Sequence, residues 1–237
     1  MQKYEQKYEY EGKSKTVRGG TDEGTVVISF KDTATAFNGE KKEELSGKGI
    51  LNAAISNHIF EYLAKNGIKT HLISVIDQTS ILAKKAEIIP VEVIIRNIGA
   101  GGFSKKYGVE EGSALKNIVV EFCLKSDSLG DPMMNESQIT ALGIALSDEL
   151  SLMVKTALKI NDLLRSLFEK ASIKLVDFKL EFGRCDGEII LCDEISPDSC
   201  RLWDSHTDKK LDKDVFRRGL GDVLSGYSEV LERLKRA

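Results

Sequence analysis

Residues 174–203 read KLVDFKLEFGRCDGEIILCDEISPDSCRLW, and the first ten alternate so strictly that Asp177, Lys179 and Glu181 share one face of the strand they form. Phe178, Leu180 and Phe182 then occupy the other face and supply a core. Buried carboxylates are costly unless paired or bound to a cation, so the polar face points to a task beyond solubility, with a solvated edge strand as the competing account. The returning run EIILCDEIS carries Asp193 and Glu194 straight after an apolar stretch that belongs inside. A hairpin centred on Cys185 sets Asp177 opposite Asp193, Lys179 opposite Leu191 and Glu181 opposite Ile189. Like charges directly opposite destabilise a sheet, and Mg2+, which takes one or two carboxylates together with phosphates, would relieve the Asp177–Asp193 pair. In this register Asp193 lies about 13 Å along the strand from the partner of Glu181. One ion cannot bridge that span.

Outward from this hairpin, strand and helix signals are segregated. YEYEGKSKTV and TVVISFKDTATAF read as strands, and an amphipathic run predicts a helix over 47–65. THLISVI, ILAKKAEII and PVEVIIRNI follow as strand-rich runs, the last ending in Gly99-Ala100-Gly101-Gly102, read as a loop. A second apolar stripe predicts a helix over 147–171, and a helical tail begins near Val215. This segregation favours an α+β fold over alternating βαβ units. A chain of 237 residues buries roughly 70–75% of its unfolded surface, enough for a core without disulfides.

With 34 basic and 37 acidic residues the chain has no electrostatic footprint for nucleic acid. No apolar run approaches a membrane span and the charged start has no signal-peptide core, so a cytoplasmic location is expected. Four cysteines without a C-x-x-C pair and three separated histidines give no zinc spacing. Gly12-Lys13-Ser14 imitates the end of a Walker A loop, but Lys7 stands where that motif needs its first glycine. What survives is a pair of cations, Lys13 and Lys15, on one strand face, where they could flank a polyphosphate or simply be solvated. RNIGAGGFSKKYG offers a second anion site, with the planar fork of Arg96 beside glycine N–H groups. Taken together, the residues point to Mg-nucleotide phosphate chemistry.

EGKSK, KDTATAFNG, PVEVIIRN with AGG, DPMMNES, LVDFKLEFG and DEISPDSCRLWD, in that order, resemble the SAICAR synthetase family, from near residue 8 to near residue 220. The resemblance implies a two-lobed fold of antiparallel sheets with flanking helices, related to ATP-grasp and protein-kinase architectures. The expected lobes are 1–90, β-rich with one helix, and 91–237, with ATP and substrate between them. It implies a ligase that joins L-aspartate to the carboxylate of carboxyaminoimidazole ribonucleotide (CAIR), using ATP and Mg2+, as a homodimer. Lys13, Lys15, Lys125 and Glu181 match nucleotide contacts, and Asp193 with Glu181 the metal ligands. Arg96, Gly101, Gly102, Ser104, Arg201 and Arg217 match substrate contacts, and Lys179, Asp177 and Asp131 the positions around the reacting carboxylate. Gly102 stands where relatives commonly have serine, and Thr33 where they often have another acid. A kinase-like phosphotransferase and a nucleotide sensor remain as alternatives. No H-R-D-x-x-x-x-N or D-F-G string supports a protein kinase.

Overall fold

The computed structural model describes residues 8–36 and 39–237; Phe37 and Asn38 of KDTATAFNG lie outside the described residues. The chain begins with strands β1 (Tyr8–Glu11), β2 (Lys15–Gly19) and β3 (Thr25–Phe30). A small hairpin of β4 (Thr33–Ala36) and β5 (Lys41–Glu44) leads to helix α1 (Lys48–Lys65), then to β6 (Leu72–Val75) and β7 (Ser80–Lys84). These form a five-stranded antiparallel sheet in the order β1-β2-β3-β7-β6, with β4 and β5 apart. Along β3 buried residues alternate with half-buried ones, as a strand with one covered face requires.

The rest of the chain builds a six-stranded sheet. Its strands are β8 (Glu87–Ile98), β9 (Ala114–Leu124), β10 (Met133–Met134), β11 (Ile173–Cys185), β12 (Glu188–Cys192) and β13 (Cys200–Asp204). Helix α2 (Gly101–Tyr107) follows β8, while α3 (Glu136–Ala141) and α4 (Ser147–Lys170) precede β11. α5 (Asp214–Arg218) and α6 (Val223–Leu234) close the chain. The fold is therefore two-lobed α+β. One core joins β8, β11, α4 and α1 through residues such as Ile95, Phe178, Ile160 and Ile59. Met153 on α4 is fully buried in it.

Four sequence expectations change. The predicted loop after β8 is instead a short helix, α2, starting at Gly101. The tail breaks into two helices because Gly219 and Gly221 take positive φ. β9, with its weak alternation, was not anticipated.

The fourth concerns the opening hairpin. Its register is Glu181 opposite Cys192, Phe182 opposite Leu191 and Cys185 opposite Glu188, three residues away from the predicted pairing. The turn is Asp186-Gly187, with φ of 52° and 76°, the two-residue turn with both central residues left-handed that matches strand twist. Asp177 therefore does not face Asp193; it pairs with Arg96 on β8 and Arg201 on β13.

Local devices fix the frame around this hairpin. Asp32 accepts hydrogen bonds from the N–H groups of Gly47 (3.1 Å) and Gly49 (2.8 Å), satisfying donors at the start of α1. Gly49 is required there, since a Cβ would lie 2.7 Å from the Phe30 carbonyl oxygen. The Asp32 carboxylate is thus a helix cap, which accounts for the start of KDTATAF. Backbone bonds from His71 N to Leu191 O and from Leu191 N to Lys69 O, both 2.9 Å, stitch the approach to β6 onto β12.

Candidate functional site

β11 is longer than any single partner on its outer edge, and this length builds the site. β13 pairs with its first half, Ile173 to Phe178, and β12 with its second, Glu181 to Cys185. Between them the chain from Asp193 to Ser199 leaves the sheet, and the Lys179 N–H is satisfied by the Ser199 carbonyl at 3.0 Å. Asp193 makes this departure with φ of 61°, an uncommon conformation for a residue other than glycine. A cavity of about 650 Å3 opens at the gap, bounded on the opposite side by the first sheet.

One end of the gap is a carboxylate–lysine cluster. Glu181, 3% exposed, lies directly opposite Glu92 on β8. The Lys179 ammonium reaches Glu92 and Glu181 at 2.7 Å each and Asp193 at 3.6 Å, while Lys125 donates to Glu181 at 2.7 Å. Lys15, brought across from β2, bonds Asp193 and lies 3.5 Å from Glu194. Burial alone would push the Asp193 carboxyl up, but Lys15, Lys179 and Lys125 outweigh it and hold its pKa well below the usual range. Burial likewise opposes the Lys15 charge, and Asp193 and Glu194 overcome that and raise its pKa. Both groups are ionised. Glu194 differs: burial raises its pKa, and its Oε2 has no hydrogen-bond partner among the described residues.

The other end is held by arginines. Asp177, 4% exposed, accepts from Arg96 Nη1 at 2.6 Å and from Arg201 Nη1 at 2.8 and 3.1 Å. Arg96 Nε also donates to Glu121 and Arg201 Nε to Asp214, at 2.6 and 2.9 Å. Asp214 then accepts from Arg217 at 2.7 Å. Gly101 packs against this array, and a Cβ there would lie 2.4 Å from the Arg201 guanidinium. A side chain at Gly102 would meet nothing within 4 Å, so serine fits that position.

The cavity is lined by Lys13, Lys15, Arg96, Lys125, Asp131, Asp177, Lys179, Glu181, Asp193, Arg201 and Arg217, eleven of the fourteen residues expected from the sequence. Gly101, Gly102 and Ser104, on α2, are not in its lining. Lys13 sits at the exposed rim, paired with Asp127 at 2.7 Å. Asp131 also accepts from the Ser126 N–H at 2.9 Å, which holds the turn carrying Lys125.

Several participants escaped the sequence reading. Val17, Val26 and Ile28 give the cavity an apolar wall on the first sheet, visible in retrospect only as ordinary strand alternation. His71 is buried beside Lys15; burial first and then the Lys15 charge hold its pKa down to about 4, so the imidazole is neutral. The Asp198 side chain is 4% exposed, paired with fully buried Lys48 at 2.5 Å and accepting from Asn52 at 2.9 Å and Tyr227 at 2.6 Å. No local spacing announces partners so distant in sequence. Burial, followed by Asp193 and Glu181, pushes the Cys192 thiol up to about 12, so it is a packing group and no nucleophile.

Comparison with known proteins fits this geometry. Residues 8–234 match the family described as SAICAR synthetase. A phosphoribosylaminoimidazole-succinocarboxamide synthase of Finegoldia magna is 55% identical over 95% of this chain and 98% of that protein. A crystal structure of the synthase of the same name from Ehrlichia chaffeensis superposes with a TM-score of 0.95 at 45% identity, covering 97% of this chain and 98% of that one. A SAICAR synthetase solved in complex with ADP gives 0.93 at 44% identity, covering 96% and 97%. With the match running through both sheets and every residue that lines the gap, the chain belongs to the SAICAR synthetase family.

Proposed function

We propose that this chain joins L-aspartate to the carboxylate of CAIR, forming SAICAR with ADP and phosphate, in the gap between β12 and β13. The observation that carries the reading is the division of that gap into a lysine–carboxylate end suited to a nucleotide and an arginine end suited to a second anion. The lobes 1–90 and 91–237 would enclose the substrates between their sheets. α1 packs into the core of the larger lobe, coupling the two.

The nucleotide base would lie on the apolar wall of Val17, Val26 and Ile28, with Lys13, Lys15 and Lys125 along the phosphates. Glu181 and Asp193 converge on one ammonium, which marks a place that accepts positive charge. Among the described residues no cluster of three or more His, Cys, Asp or Glu forms a metal cage. Two carboxylates completed by phosphate oxygens are what Mg2+ usually takes, so the donor set fits. When bound, Mg2+ would offset phosphate charge during phosphoryl transfer.

For the reaction, an oxygen of the CAIR carboxylate attacks the γ-phosphorus and the bond to ADP breaks, giving an acyl phosphate. The aspartate amine then attacks the acyl carbon, phosphate leaves, and the amine loses its proton. Without phosphorylation the carboxylate would have to expel oxide. Lys179, whose ammonium lies beside Glu181 and Asp193, would neutralise the carboxylate during the first step. Both oxygens of Asp177 are taken by arginines, so its part is to aim Arg96 and Arg201 at the ribonucleotide phosphate. The family resemblance also supports a cytoplasmic homodimer, which sedimentation can test; among the described residues no helix is long and apolar enough to cross a membrane.

The test is ADP release from Mg-ATP with CAIR, with and without aspartate. Product formation requiring all three substrates is expected; release with an alcohol acceptor, or with ATP alone at the same rate, would overturn the reading.

A further inference from the structure

Arg201 is held on two of its three nitrogens. Its Nε donates to Asp214 at 2.9 Å and its Nη1 to Asp177 at 2.8 and 3.1 Å. Nη2 makes no hydrogen bond among the described residues and faces the chain at Gly101, where a Cβ would lie 2.4 Å from it. A guanidinium is planar and rigid, so the aim of this open edge depends on both carboxylates. Asp177 is fixed by its place on β11, between β8 and β13. Asp214 instead begins the five-residue helix α5 and has no sheet to hold it.

Asp212 supplies the missing tie. It is fully buried, and its two oxygens serve two elements. Oδ2 accepts from the Leu202 N–H on β13 at 2.8 Å, and Oδ1 from the Asp214 N–H at 2.7 Å. One carboxylate thus joins the strand residue next to Arg201 to the backbone of the residue that grips Arg201. No cation bonds Asp212 among the described residues, and it does not line the cavity. The charged and titratable groups facing it are Asp214 on α5, Arg201 and Cys200 on β13, and Tyr227 on α6. Burial first, then the Asp214 charge, push the Asp212 carboxyl up to about 7, against the two N–H groups and Arg201.

A carboxylate accepts from two N–H groups at once, whereas a carboxylic acid or an amide presents a donor on one side. Protonation therefore breaks one of the two ties. We infer that Asp212 is a positioning residue for the ribonucleotide: by tying Leu202 to Asp214 its carboxylate aims Arg201 at the phosphate, and loss of one tie releases that aim. The inference rests on the ligase reading above and deepens it. Asp212 touches no substrate; it acts through Asp214 and Arg201.

The experiment measures KM for CAIR and for ATP in wild type and Asp212→Asn, at pH 8 and at pH 6. Loss of one hydrogen bond to a charged group predicts a KM for CAIR about 10-fold higher in the variant at pH 8. The variant imitates the protonated carboxyl, so the ratio should shrink to about 2-fold at pH 6, where wild type is itself mostly protonated. Titration of the ribonucleotide phosphate is common to both enzymes and cancels in the ratio. KM for ATP should stay within about 2-fold. A merely structural aspartate would move both KM values, or give a ratio that ignores pH. If Asp212→Asn fails to fold, the Asp212 carboxyl of wild type is followed by 13C NMR with and without CAIR. Binding should move its titration midpoint down by about one pH unit, because CAIR favours the ionised form. No rise in KM for CAIR at pH 8, an equal rise for ATP, a ratio unchanged between the two pH values, or a midpoint that CAIR leaves in place overturns the inference. Each leaves the ligase reading intact. A wild-type enzyme that forms no amide from CAIR and aspartate overturns both.

Discussion

The two ends of the polar face of β11 solve the same problem with different cations. At one end Asp177 is gripped by the forks of Arg96 and Arg201, each of which has a second carboxylate to hold. At the other, Glu181 and Asp193 meet the ammonium groups of Lys179, Lys125 and Lys15. Guanidinium forks fix direction; ammonium groups are point charges on flexible stems that can re-partner when phosphate and a divalent cation arrive. On the proposed reading the arginine end would serve as a pre-aimed anion clamp, and the lysine end as a balanced charge store whose partners exchange during turnover.

The comparison breaks most visibly at Lys179. Replacing it with methionine removes the cation shared by Glu92, Glu181 and Asp193, and kcat should fall by roughly 10²–10³-fold. Single-turnover formation of ADP is the measurement, and near-normal turnover would remove Lys179 from the chemistry. At the arginine end, Arg201→Lys keeps the charge but replaces the rigid planar fork that spans Asp177 and Asp214 with a point charge on a flexible stem. Here KM for CAIR should rise by about 10-fold or more, with a smaller change in kcat. Equal behaviour of Arg201→Lys and wild type would mean that direction does not matter there.

The smallest effect tests an ion pair on β11 outside the cavity. Arg184 meets Glu149 through Nε and Nη2 at 2.6 and 2.8 Å, and Glu149 also accepts from the Leu146 N–H at the start of α4. The Arg184 bond first and the Leu146 N–H after it hold the Glu149 pKa down to about 2, against burial. Because the folded value lies below the unfolded one, the stabilisation is present above about pH 4.5 and is lost as pH falls toward 2. Glu149→Gln should cost about 1 kcal/mol at neutral pH in denaturant unfolding, with unchanged KM values, and the cost should shrink over that acid range.

Eleven of the expected residues do meet at the cavity: strand alternation put Asp177, Lys179 and Glu181 on one face without knowledge of partners, while Lys125, Asp131, Arg201 and Arg217 were expected from the family resemblance. The pairing across the hairpin is another matter. Asp186-Gly187 is a strong turn signal in the sequence, and reading it would have given the correct register. Centring the turn on Cys185 brought Asp193 to Asp177 and produced a separation from Glu181 that does not exist. What no sequence signal carries is the splitting of the outer edge of β11 between β12 and β13. It depends on where Asp193 turns out of the sheet and where Cys200 returns to it.

The sequence by itself determined the α+β class, α1 and α4, the polar face of β11 and the set of cations and carboxylates that serve it. The class, the helices and the polar face follow from periodicity and side-chain chemistry, which are local; Lys125, Arg201 and Arg217 follow from the family resemblance. Only the tertiary structure decided which carboxylate meets which cation: Asp177 with arginines, Glu181 and Asp193 with lysines, and Asp198 with fully buried Lys48. Ion pairs act over a few ångströms between residues 24 to 178 positions apart in these cases, so their partners are fixed by packing.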